Sequence, residues 1–173
     1  TEVPDIKTTP VVTPVTSGFS YDFNAFNEAT KQTGDNTVWL EAPFSNEAVP
    51  TYAKLISDFG YSNNFTAALL GNGAVESGGS FAATQLERGK VKSKGRGIWQ
   101  LDGRIKGKDG NAFLGAGYVK NFKKMTANPN TTVKEYNDFI LDVVMRPENK
   151  STRARRLLYA NLFLKGLQKW LVY

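Results

Sequence analysis

From residue 46 onward, apolar side chains return every three or four positions in one segment after another, and that spacing commits the chain to packed helices. Residues 46–58 place Val49, Tyr52, Leu55 and Ile56 on one face, with Pro50 admissible only in the first turn. A second helix, capped by Asn64, runs through Leu70 and Val75 to the breakers Gly78-Gly79. A third covers residues 111–125 and stops before Asn128-Pro129-Asn130. Thr132-x-x-Glu135 is a capping box that opens a fourth over residues 133–146, whose Tyr136, Phe139, Ile140, Val143 and Val144 share a face; Pro147 ends it. The last, residues 151–170, joins a basic first turn to a broad apolar face broken by Asn161.

The N-terminal part reads differently. Residues 1–18 hold three of the seven prolines among Thr and Val, the composition of an extended, semi-rigid arm or linker. The period-two run Phe19-Ser20-Tyr21-Asp22-Phe23 predicts a short strand, with a turn at Thr33-Gly34-Asp35-Asn36. Residues 80–110 are rich in Gly and Lys, irregular or hairpin-like, around the apolar island Ile98-Trp99. At 173 residues there is room for one domain with a substantial core. The expectation is therefore an α+β fold, predominantly α-helical: a single domain over residues 19–173 with a small strand or hairpin element and an N-terminal arm. The start at Thr1 is read as a processed product or a piece of a longer protein. No stretch approaches the ~18 uninterrupted apolar residues of a transmembrane helix.

Two absences narrow the chemistry. Without histidine or cysteine there is no Ser-His-Asp or Cys-His machinery and no thiol nucleophile, and zinc sites lose their usual ligands. Catalysis must rest on Asp, Glu, Lys, Tyr, Ser or Thr. The charge is also lopsided. Residues 1–87 carry 3 Lys/Arg against 10 Asp/Glu, a net of −7, and residues 88–173 carry 19 against 6, a net of +13. A field of that sign attracts polyanions such as nucleic acid, an anionic membrane surface or a cell-wall polymer, unless it is only a solvated basic loop.

The window Ala68-Leu69-Leu70-Gly71-Asn72-Gly73-Ala74-Val75-Glu76-Ser77-Gly78-Gly79 singles out Glu76. A carboxyl at the end of an apolar helix is half desolvated and lies at the negative end of the helix dipole, and both effects disfavour its anion. A carboxylic acid kept protonated is what protonation of a glycosidic oxygen requires. The same residues also fit an ordinary helix end, with Gly71 and Gly73 allowing close helix packing. In the second window, Gly97-Ile98-Trp99-Gln100, Gly97 permits close backbone approach, Trp99 offers a sugar-stacking or core face, and Gln100 brings a donor and an acceptor.

Together these windows resemble the lysozyme-like superfamily. A helix carrying Gly-Asn-x-x-x-Glu-Ser, then Gly-x-Gly-Ile-x-Gln about twenty residues on, is most similar to goose-type lysozymes, soluble lytic transglycosylases and the lysozyme domains of phage tails. The resemblance, which covers about residues 64–104, implies that Glu76 is the catalytic acid and that Gly97, Ile98, Trp99 and Gln100 line the cleft. Lytic transglycosylases also carry a tyrosine after an Ala-Glu-Asn motif. Its nearest counterparts here are Tyr136-Asn137 and Tyr159-Ala160-Asn161, with Tyr159 the better placed. An inverting hydrolase needs a second carboxylate, for which Asp102, just past the Gln100 segment, is preferred to Glu87 as base or electrostatic partner, unless it only pairs with Arg104 or Lys106. Ser77 is expected to orient Glu76 rather than act as a nucleophile.

The implied activity is a muramidase cutting the glycan strands of peptidoglycan, carried on a phage tail or virion or secreted, without cofactor or metal. The N-terminal arm would join it to other virion or tail proteins. The alternatives are a lytic transglycosylase using the same Glu76, a non-catalytic wall-binding or structural tail module, and a chitinase or chitosanase. Nucleic-acid binding through the basic 88–108 stretch and Arg153-Ala154-Arg155-Arg156 is disfavoured, because Trp99 alone interleaves with the lysines.

Overall fold

A computed structural model describes residues 21–33, 48–77, 81, 116–145 and 152–170. The described elements are helices: α1 (Phe23–Gln32), α2 (Ala48–Asp58), α3 (Asn63–Glu76), α4 (Ala116–Ala127), α5 (Val133–Phe139), a π-helical stretch (Ile140–Met145), and α6 (Arg153–Trp170). There is no strand among the described residues.

The hub is α3. From Phe65 to Val75 every residue except Leu69 is buried, including Thr66 and Asn72. A helix apolar on all sides must be surrounded, and α6, α5 and α2 surround this one. One core cluster joins Phe26, Val49, Ala53, Leu70, Tyr159, Phe163 and Leu167, so it is shared by α1, α2, α3 and α6. A second joins Ile56, Phe65, Ala68, Tyr136 and Ile140. The C-terminal end of α3, which carries Glu76, is therefore fixed by long-range packing rather than by its own propensity.

The predicted strand at residues 19–23 is corrected where it is described: Tyr21-Asp22-Phe23 is the entrance to α1. The Asp22 carboxylate caps the helix by accepting from the amides of Asn24 (3.0 Å) and Ala25 (3.4 Å). Tyr21, just before the cap, packs edge-on against Phe26 in the second turn, with centroids 5.9 Å apart. This is a hydrophobic staple, whose aromatic spacing imitates a strand over so short a run. Phe26, Ala29 and Thr30 then follow the helical period into the core. The expected arm at 1–18 and the hairpin-like region 82–110 lie outside the described residues.

Helix α3 begins earlier than a cap at Asn64 implies. The Ser62 hydroxyl accepts the Phe65 amide at 3.2 Å, while the Asn64 side chain donates to the Thr131 carbonyl at 2.9 Å and ties α3 to the turn before α5. The single helix expected over 133–146 divides at Ile140, where the wider π turn lets the adjacent Ile140 and Leu141 both be buried.

The capping box at α5 is present in full. The Thr132 amide donates to Glu135 Oε2 at 2.7 Å, and the Glu135 amide donates to Thr132 Oγ1 at 3.2 Å. The backbone and side-chain hydrogen bonds from Thr132 lower the Glu135 carboxyl below its ordinary value. For Asp138, burial acts to raise the carboxyl, but hydrogen bonds and charge from Lys134 and Arg153 outweigh it and the net shift is down. Carboxyls depressed in the folded state stabilise above their unfolded pKa, and that contribution is lost as pH falls through the folded one. Thr132→Ala removes the N-cap of α5 and should cost about 1 kcal/mol at neutral pH. The penalty should shrink in acid, where a protonated Glu135 has already weakened the reciprocal bond. Urea unfolding of both proteins at neutral and acid pH measures the difference.

Candidate active site

Glu76 is the last residue of α3, and its side chain keeps 17% of its exposure, enough for one edge to meet solvent or substrate. Its Oε1 accepts from Arg156 Nη2 at 2.6 Å, and the Arg156 side chain is only 4% exposed. The same guanidinium donates through Nη1 to Asn72 Oδ1 at 3.1 Å and through Nε to Thr152 Oγ1 at 2.8 Å. Asn72 lies one turn before Glu76 on the same face of α3, and Thr152 one turn before Arg156 at the start of α6. The Asn72 amide nitrogen is spent on the Ala68 carbonyl (2.9 Å) and on Asn137 Oδ1 (3.0 Å), which turns its oxygen towards Arg156. Three helices thus converge, through buried polar groups, on one carboxyl.

Helices α3 and α6 meet this closely because of Gly71. A Cβ there would lie 2.7 Å from the Ala160 nitrogen and 2.7 Å from the Arg156 carbonyl oxygen, both backbone atoms. The close helix packing that Gly71 allows in the sequence is realised.

Ser77 is 3% exposed. Its hydroxyl donates to the Gly73 carbonyl at 2.7 Å and accepts the Phe81 amide at 3.1 Å. Phe81 has φ +49°, a conformation that costs a bulky residue about 1–3 kcal/mol. It is nonetheless buried, its ring edge-on to Phe163. Ser77 and Phe81 bring the chain back to the core within five residues of Glu76, whose carboxyl accepts from Arg156.

Tyr159 sits elsewhere. It is 1% exposed in the core, and its hydroxyl bonds to Thr30 Oγ1. Thr30 Oγ1 also donates to the Phe26 carbonyl at 2.9 Å. Burial raises the Tyr159 phenol, against the opposing pull of Thr30 and Arg155. Of the sequence-derived site residues, the structure brings Glu76 and Ser77 to one helix end and places Tyr159 between α1 and α6. Gly97, Ile98, Trp99, Gln100, Asp102 and Glu87 lie outside the described residues.

Sequence reasoning does not single out Arg156, Asn72 or Thr152 as site residues. The run Arg153-Ala154-Arg155-Arg156 resembles a basic surface, yet Arg155 and Arg156 are buried. Burial pulls the Arg155 guanidinium below its usual value, with the neighbouring Arg156 adding to the fall and Tyr159 opposing it. Arg153 forms ion pairs with Asp138 (2.8 Å) and Asp142 (2.6 Å). The run is internal wiring, not a free cationic face. The remaining described acids are also engaged locally, since Asp22 caps α1, Glu28 pairs with Lys31, Asp58 with Lys54, and Glu135 closes its capping box. No group of acids among the described residues could hold a metal ion, and no described helix is long and apolar enough to cross a membrane.

Compared with known families, the chain matches the one described as phage tail lysozyme over residues 46–167. That span begins just before α2 and runs through α3, α5 and nearly all of α6, so it contains Glu76, Arg156, Asn72 and Thr152. No curated protein and no solved structure matches the chain. The family implies a lysozyme-type, peptidoglycan-degrading enzyme associated with a virion. With more than two-thirds of its length matched, the chain belongs to the phage tail lysozyme family.

Proposed function

We propose that the chain is a muramidase that cleaves the glycan backbone of bacterial peptidoglycan, with Glu76 as the general acid. The observation that carries this is the Glu76 carboxyl itself: part-exposed at the end of a fully packed helix, with Oε1 held by the buried Arg156. In the reaction Glu76 gives its proton to the glycosidic oxygen. The electrons of the broken C–O bond pass to that oxygen, and the anomeric carbon takes up a nucleophile.

The nucleophile is water if a second carboxylate activates it from about 6.5–9.5 Å away, as in an inverting hydrolase. Asp102, just past residues 97–100, is the residue we assign to that role. Gly97, Ile98, Trp99 and Gln100 would line the sugar-binding cleft, and the basic 88–108 stretch would concentrate the enzyme on anionic wall polymers. The arm at residues 1–18 would attach the domain to other virion proteins.

Mass spectrometry of muropeptides released from purified peptidoglycan tests the reading. Products with a free reducing muramic acid establish hydrolysis and make Asp102 the next target for substitution. Products one water lighter carry a 1,6-anhydro ring, identify a lytic transglycosylase with the same Glu76, and relieve Asp102 of a role as base. No product from walls of several types would leave a wall-binding module in place of an enzyme.

A further inference from the structure

We propose that Arg156 is a positioning residue for the Glu76 carboxyl, itself aimed by Thr152 and Asn72; this rests on Glu76 being the general acid. Each of the three guanidinium nitrogens has its own acceptor, with Nε on Thr152, Nη1 on Asn72 and Nη2 on Glu76. The first bond fixes the guanidinium to its own helix, and the second to the turn of α3 before the catalytic one. The third delivers the result to Glu76 Oε1. Asn72 cannot turn its amide over without giving up its bonds to Ala68 and Asn137. The clamp is therefore rigid from both sides.

Stability alone does not call for such an arrangement, since a buried ion pair contributes little net stability over a well-packed apolar pair. Its chemical consequence is larger. With Oε1 engaged by the Arg156 N–H, Oε2 is the oxygen left to carry the proton that passes to the glycosidic oxygen. When that proton passes to the glycosidic oxygen, the carboxylate left behind already has a cation at hydrogen-bond distance, and nothing has to reorganise as the charge develops. A planar fork meets the three acceptors at once, whereas a lysine ammonium would keep the charge and lose the aim.

The test is steady-state kinetics on soluble, uncross-linked glycan strands for the unaltered protein, Arg156→Gln, Arg156→Lys and Thr152→Ala, with folded fractions measured by near-ultraviolet circular dichroism. We expect kcat per folded molecule to fall roughly 10–100-fold in Arg156→Gln with KM within about threefold. Arg156→Lys should recover part of the loss, and Thr152→Ala should lose several-fold. Wild-type kcat per folded molecule in these variants would overturn the inference and reduce Arg156 to a packing residue, leaving the muramidase reading intact. If Arg156→Gln does not fold, Arg156→Lys and Thr152→Ala decide on the same criterion. An unaltered protein that cleaves nothing overturns the general-acid reading, and this inference falls with it.

Discussion

Glu76→Gln should fold like the native protein and lose glycan cleavage by roughly a hundred- to ten-thousandfold, the range a positioned general acid contributes. The substitution is nearly isosteric and keeps an oxygen to accept the Arg156 N–H. Arg156 also retains its bonds to Asn72 and Thr152. The stability cost is that of weakening one charge-assisted hydrogen bond, about 1–3 kcal/mol, small enough to leave a cooperative melt. An amide has no proton to give at neutral pH, so a step that takes its proton from Glu76 is lost while the packing of α3 against α6 is kept. The decisive comparison is muropeptide release by the two proteins at equal folded concentration. More than a tenth of native activity in the variant would remove Glu76 from the chemistry and turn attention to the carboxylates outside the described residues, Asp102 first.

What can be read in the sequence follows from how local each signal is. The α5 capping box is legible because both of its partners lie within four residues, Thr132 to Glu135. The position of Glu76 at the end of a buried helix is legible because the apolar run before it and the glycines after it are both local. Residues 19–23 mimic a strand because a staple residue, a cap and a first helical residue alternate aromatic and polar just as a strand does. Arg156 escapes notice for the opposite reason. Its bond to Glu76 spans 80 residues, and its place in an arginine-rich run points to solvent when the fold turns it inward. The buried polar network therefore depends on tertiary placement, and its sequence trace is slight: an asparagine one turn before Glu76. The phage tail lysozyme resemblance compensates, since it draws on the pairing of two windows and not on either alone.

Gly71→Ala should destabilise the protein by about 3 kcal/mol, at or beyond the upper end of ordinary overpacking. Two effects compete. Replacing a mid-helix glycine with alanine stabilises an unobstructed helix by about 1 kcal/mol. Here, however, the added Cβ would lie 2.7 Å from the nitrogen of Ala160 and 2.7 Å from the carbonyl oxygen of Arg156. Neither is the end of a flexible side chain that could swing away; both belong to the backbone of α6, so relief requires the two helices to separate. The clash should win. At about 2–4 °C per kcal/mol for a chain of this size, the melting temperature should fall by roughly 10 °C. Separation also acts on the site, because one of the atoms struck belongs to Arg156, whose guanidinium holds Glu76. Gly71→Ala should thus lose activity beyond its loss of folded protein, and the larger Gly71→Val should lose more of both. Thermal melts combined with activity per folded molecule separate the two contributions. An alanine variant as stable as the native protein, or stabilised by the propensity gain, would mean that α3 and α6 do not pass at this distance, and that the Asn72–Arg156–Glu76 clamp is not set by their contact.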